Sequence, residues 1–100
     1  MIRSIIIDDE QNNIDNLSIL LQEHCPGIVI CATALNATEG KKIIDLQQPE
    51  IVFLDIQMPG QNGFDLLKSL HTHNFEVIFV TAYDQYGIQA VKFSAVDYLL

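Results

Sequence analysis

The sequence predicts an α/β fold: a single doubly wound parallel sheet of five strands in the order 2-1-3-4-5. Strand-like runs alternate with helical stripes along the whole chain, which calls for a parallel sheet with right-handed crossovers. The run Ile51-Val52-Phe53-Leu54 is continuously apolar, as a strand covered on both faces must be. It stops at Asp55, and Ile5-Ile6-Ile7 stops in the same way at Asp8-Asp9-Glu10. Periodicity does not fix strand order, but the order 2-1-3-4-5 sets strands one and three side by side at the switch point, where ligands bind. There the two acidic strand ends meet.

Residues 2–7 form the first strand. Residues 12–24 carry Ile14, Leu17 and Leu21 at helical spacing with Leu20 beside them, and Pro26-Gly27 ends that helix. Residues 28–34 are the second strand, Ile28-Val29-Ile30 followed by small residues. Asn36 is placed to cap the next helix, with Glu39 at its third position. This helix carries Ile43, Ile44 and Leu46, and Pro49 closes it; Gly40 weakens it by up to ~1 kcal/mol. After the third strand, Pro59 and Gly60 enforce a turn. Asn62 then caps a helix with Phe64, Leu67 and Leu70 inward, Leu66 beside them and Lys68 in water. Residues 77–80 are the fourth strand, running into Thr81. Residues 84–93 form a short helix with Ile88 and Val91 inward, and a fifth strand begins at Val96.

With 100 residues, 49% of them hydrophobic, the chain makes one domain with a real core. A net charge of −8 argues against direct contact with nucleic acid or an anionic membrane. No apolar run approaches the ~20 residues of a membrane span. Cys25 and Cys31 fit no metal or redox spacing and read as buried reduced thiols, which suits a cytoplasmic protein. His24, His71 and His73 read as solvated, and His71 and His73, two apart, cannot share a helix face as metal ligands.

Carboxylates converging on one sheet edge repel one another, and a hard divalent cation relieves that repulsion. Mg²⁺ prefers oxygen donors and takes one or two carboxylates plus waters, so it is the cation this rim suits. An acidic Mg²⁺ site with a projecting Asp is a phosphoryl-transfer site in outline.

Asp8-Asp9, Asp55, Thr81-Ala82 and Asp97-Tyr98-Leu99-Leu100, each at a strand end in this order, resemble a response-regulator receiver domain over the whole chain. Leu54-Asp55-Ile56-Gln57-Met58-Pro59-Gly60 and Val80-Thr81-Ala82-Tyr83-Asp84-Gln85-Tyr86 resemble most the LytR/AlgR subgroup, whose members usually carry a LytTR-type DNA-binding domain after the receiver. The resemblance implies a flavodoxin-like sheet and a two-component phosphoacceptor that works in its own phosphotransfer and dephosphorylation without being an enzyme. It implies that Asp55 attacks a phosphohistidine of a partner sensor histidine kinase. Asp9 and Asp55 would bind Mg²⁺ directly, Asp8 through water or by positioning, and Gln57 through its backbone carbonyl. Thr81 would hydrogen-bond the phosphoryl group, and Tyr98 would be the aromatic that switches rotamer with it. Dimerisation through the fourth helix and fifth strand would follow, with DNA contacted only by a downstream domain in transcription regulation.

A phosphatase of the haloacid dehalogenase type also uses a strand-end Asp with Mg²⁺, but needs a second acid where this chain has Gln57. A flavodoxin-like cofactor binder needs a phosphate-cradling loop after strand one, where Asp8-Asp9-Glu10 would repel phosphate. No GxGxxG supports a dinucleotide site. The strongest rival is a phosphorylation-independent interaction module on the same fold. The family also places a Lys just after strand five and then a final helix, which would follow Leu100. The expectation is therefore a receiver domain truncated before its last helix, with the natural protein continuing past Leu100 and the 100-residue piece left unstable or self-associating.

Overall fold

The computed structural model describes residues 1–56, 58, 65, 66, 68, 70, 74–80 and 96–99, the last four through their backbone. Strands β1 (Ile2–Ile7), β2 (Ile28–Ala34), β3 (Ile51–Asp55), β4 (Glu76–Val80) and β5 (Val96–Leu99) form one sheet in the order β2-β1-β3-β4-β5. Every pairing is parallel, as the alternating pattern requires. Helix α1 (Gln11–His24) joins β1 to β2, and α2 (Ala37–Gln47) joins β2 to β3. Asp65, Leu66 and Lys68 are helical between β3 and β4. Gln57, Thr81, the Asn62 cap, Phe64 and Leu67, the helix expected at 84–93, His71, His73 and the Tyr98 side chain lie outside the described residues.

Period-two alternation divides the core between the two faces of the sheet. Ile5, Ile7, Val52, Leu54, Val77 and Phe79 face α2, where Ala37, Ile44, Leu66 and Phe75 close over them. Ile6 and Phe53 face the other way onto Ile14, Leu17 and Leu21 of α1. The α1 side is the thinner one: Ile51, Ile78 and Val80 lie against its core only half-buried. Even there the sheet is partly covered by α1.

Three details correct the sequence reading. Leu46 is 78% exposed, because α2 buries Ala37, Gly40 and Ile44, and a residue two positions on from Ile44 points to the opposite side. Leu66, placed beside its helix's inward stripe, is buried against the α2-side core, whereas Leu70 is only partly covered. Cys25 and Cys31 are free thiols but half-buried rather than buried. Cys31 is the extra residue where the β1–β2 register shifts between Ser4 and Ile5, so it sits at a bulge instead of inside a regular ladder.

The expected cap is present: the Glu39 N–H donates to Asn36 Oδ1 at 2.8 Å. Gly40 has a packing reason that outweighs its poor helix propensity. A Cβ there would lie 2.7 Å from Cδ1, 3.1 Å from Cγ2 and 3.2 Å from Cγ1 of Ile7. Ile7 is fully buried and immediately precedes Asp8, so it has nowhere to go. Gly40→Ala is therefore expected to destabilise the domain: overpacking costs about 1–3 kcal/mol, against a propensity gain of about 1 kcal/mol. Urea melts with unchanged m-values would show the loss, and a gain in stability would contradict the close approach.

Candidate functional site

The site stands at the carboxyl edge of the two central strands. The register pairs Ile7 with Leu54, so the next residues, Asp8 and Asp55, reach the same level on neighbouring strands. The main chain fixes Asp8 from the other side as well, its N–H donating to the Ala34 carbonyl at 3.0 Å. Asp8, Asp9 and Asp55 each offer a carboxylate oxygen, and these oxygens lie within 4.8 Å of one another. Asp8 is 5% exposed and Asp55 9%, while Asp9 is the most open. Glu10 stands apart from the three: it is the exposed N-cap residue of α1, and its main-chain N–H donates to Asp8 Oδ1 at 2.9 Å.

The same Asp8 oxygen accepts a second hydrogen bond, from Asn13 Nδ2 at 3.3 Å. The sequence reading did not single out Asn13. The available signal was an amide side chain on the third residue of α1, one turn beyond an acidic strand end.

Burial pushes the Asp8 carboxyl above the usual carboxylate range; the Glu10 N–H and the Asn13 amide pull it down, and Asp9 pushes it up again. An acid raised in this way takes a proton more readily folded than unfolded. Its stabilising contribution is complete below the unfolded value and is lost as pH rises through the folded one. The metal-free domain therefore carries an electrostatic cost at neutral pH that acidification relieves. Asp8→Asn keeps an Oδ1 that can accept both N–H donors and removes the charge. The variant is expected to melt above the wild type at neutral pH in chelator, with the gap closing as pH falls toward the ordinary carboxylate range. A gap that does not change with pH would show that Asp8 carries no such cost.

The donor set fits a small hard cation. At a metal–oxygen distance of about 2.0–2.1 Å, ligand oxygens on an octahedron stand about 3–4 Å apart. Three carboxylate oxygens within 4.8 Å need little rearrangement to meet that. Among the described residues, no helix is long and apolar enough to cross a membrane.

Residues 5–100 match the family model for the response regulator receiver domain. An uncharacterized response regulatory protein of Vibrio cholerae is 46% identical over all of this chain and 42% of its own length. The transcriptional regulatory protein BtsR of Escherichia coli is 40% identical over the same shares. The sensory transduction protein LytT of Oceanobacillus iheyensis is 38% identical over 99% of this chain and 42% of its own, in keeping with the LytTR subgroup. The chain thus spans less than half the length of these relatives. The solved N-terminal domain of a response regulator receiver protein from Methanoculleus marisnigri superposes with a TM-score of 0.76 at 22% identity, covering 99% of this chain and 83% of that one, and shares the fold. With this sheet order, an acidic edge between its central strands and a family match that runs from Ile5 to Leu100, the chain belongs to the response regulator receiver domains of two-component signalling.

Proposed function

We propose that this domain receives a phosphoryl group on Asp55 from the phosphohistidine of a sensor histidine kinase, in a Mg²⁺-dependent reaction. The observation that carries the reading is the meeting of three carboxylates within 4.8 Å, two of them buried. Burying like charges together is costly unless a cation joins them. Asp9 and Asp55 would hold Mg²⁺ directly, Asp8 through water or by positioning, and Gln57 through its carbonyl. Bound there, Mg²⁺ would offset the charge of the acids and of the transferring group.

Asp55 sits at the end of β3, a central strand buried from Val52 onward, which helps fix the attacking oxygen in place. That oxygen forms a bond to phosphorus as the P–N bond breaks. The electron pair returns to the kinase imidazole, which leaves as a neutral ring carrying one proton, and Asp55 holds an acyl phosphate. Thr81, one residue past β4, would donate its hydroxyl to a phosphoryl oxygen. Tyr98, in the backbone of β5, would change rotamer in response. The output would be dimerisation through the fourth helix and β5, bringing together DNA-binding domains that follow the receiver, in a cytoplasmic regulator. The relatives, at more than twice this length, leave room for such a domain.

We propose further that residues 1–100 are the greater part of one receiver domain whose last helix packs on the α1 side of the sheet, where Ile51, Ile78 and Val80 are half-buried.

The deciding experiment is incubation with acetyl phosphate, with and without Mg²⁺, followed by intact-mass and peptide analysis. One phosphoryl group, on Asp55 and only with Mg²⁺, is the expected result. No incorporation at saturating Mg²⁺ would instead favour an interaction module that works without phosphorylation.

A further inference from the structure

We propose that Asn13 is a positioning residue for this site: its side-chain amide holds the Asp8 carboxylate in the orientation that lets the three acids share one cation. The inference rests on the reading of the rim as a Mg²⁺ site. Helix α1 starts without help from its N-cap side chain, since Glu10 is extended (φ −114°, ψ 122°) and makes no side-chain cap hydrogen bond. Three amide side chains then follow in a row. Gln11 is exposed and donates within the helix to Asp15 at 3.0 Å, and Asn12 is exposed. Asn13 is half-buried and turned back over the strand end, donating to Asp8 at 3.3 Å.

Asn is a poor helix former, so local propensity gives no reason for it at this position. Its chemistry does. The Asp8 carboxylate can rotate about a soft torsion, and repulsion from Asp9 and Asp55 would turn it away from the rim. Two N–H donors on one oxygen, from the main chain of Glu10 and the side chain of Asn13, hold its plane. A Lys or Arg here could satisfy Asp8 equally well but would compete with a cation for the rim. A Glu or Asp would add to the repulsion. A neutral donor restrains the carboxylate and leaves its charge available, as hydrogen-bond partners of metal-ligating carboxylates do.

The test compares wild type, Asn13→Ala, Asn13→Leu and Asp55→Asn in the full-length protein. Mg²⁺ affinity is read from the rise in melting temperature with Mg²⁺ concentration. Both Asn13 variants lack a donor, and Leu matches Asn in size, so a shared effect belongs to the hydrogen bond rather than to volume. Each is expected to bind Mg²⁺ about 10-fold more weakly and to melt below wild type without metal at neutral pH, since buried Asp8 loses a donor, yet to remain folded. Labelling by acetyl phosphate should need about 10-fold more Mg²⁺ for half-saturation, yet reach the wild-type rate when Mg²⁺ saturates. A loss of general structure would lower that saturated rate, and would overturn the proposal. Affinity within twofold of wild type in both variants would also overturn it while leaving the Mg²⁺ site standing. If wild type and Asp55→Asn respond alike to Mg²⁺, the site reading itself fails and this inference falls with it.

Discussion

Asp55→Asn is expected to abolish phosphoryl incorporation from acetyl phosphate and to weaken Mg²⁺ binding by two to three orders of magnitude. The first effect follows from chemistry: an amide oxygen cannot form the acyl phosphate. The second follows from charge. A unit charge about 4 Å from another contributes about 4 kcal/mol at an effective dielectric of 20, and a dication doubles the attraction. A water that takes the place of the carboxylate on the cation returns part of that loss. A net of about 3–4 kcal/mol remains, at 1.4 kcal/mol per decade. Asp9→Asn should approach the same loss of Mg²⁺ affinity while leaving the nucleophile in place, so slow labelling should return at high Mg²⁺. Calorimetric or melting-shift titrations give both affinities. Unchanged Mg²⁺ affinity in the two variants would remove the site.

Extending the domain by about 25 residues, the length of a loop and a helix, is expected to raise its stability by about 2–4 kcal/mol. Ile51, Ile78 and Val80 on the α1 side of the sheet are half-buried, whereas Val52, Leu54, Val77 and Phe79 on the α2 side are fully covered. Burying such a side chain fully contributes about 1.5–3 kcal/mol, so completing half of that for three residues gives the estimate. The ordering entropy of the added helix must be met by its own buried face. Denaturant melts of residues 1–100 beside the extended form measure the difference, and sedimentation tests whether the shorter form covers this face by self-association. Equal stability and a monomeric short form would show that no helix belongs there. The effect is smaller than a fully bare face would give, because the α1 core already reaches Ile78 and Val80.

The elements with one strong local signal could be read from the sequence. Short, largely apolar runs between turn residues gave β1 to β4 within a residue of where they lie, and the helical stripe of Ile14, Leu17 and Leu21 gave α1. Asn36 announced the start of α2 through its side-chain chemistry. Helix interiors were less legible, because propensity and hydrophobicity are properties of single residues and packing belongs to pairs. Leu46 is apolar but exposed, and Leu66, placed beside the inward stripe, is buried. Gly40 weakens α2 locally and is required globally, since only the fold brings Ile7 within 2.7 Å of its missing Cβ.

For the site, the sequence by itself determined the chemistry: carboxylates directly after apolar strands, at Asp8, Asp9 and Asp55, followed by residues that stop the strand. It also determined the architecture, because alternating strands and helices admit only a parallel sheet wound in one hand. The expected neighbourhood of β1 and β3 is present in the sheet, and the register that sets Asp8 level with Asp55 comes from the tertiary structure. The tertiary structure also decided that Asn13, rather than Gln11 or Asn12, reaches Asp8. The physical reason is range. Charge type, strand period and capping act within a few residues, so one sequence window contains them. The distance between two carboxylates 47 positions apart, by contrast, is set by hydrogen-bond register and by the packing of both faces of the sheet.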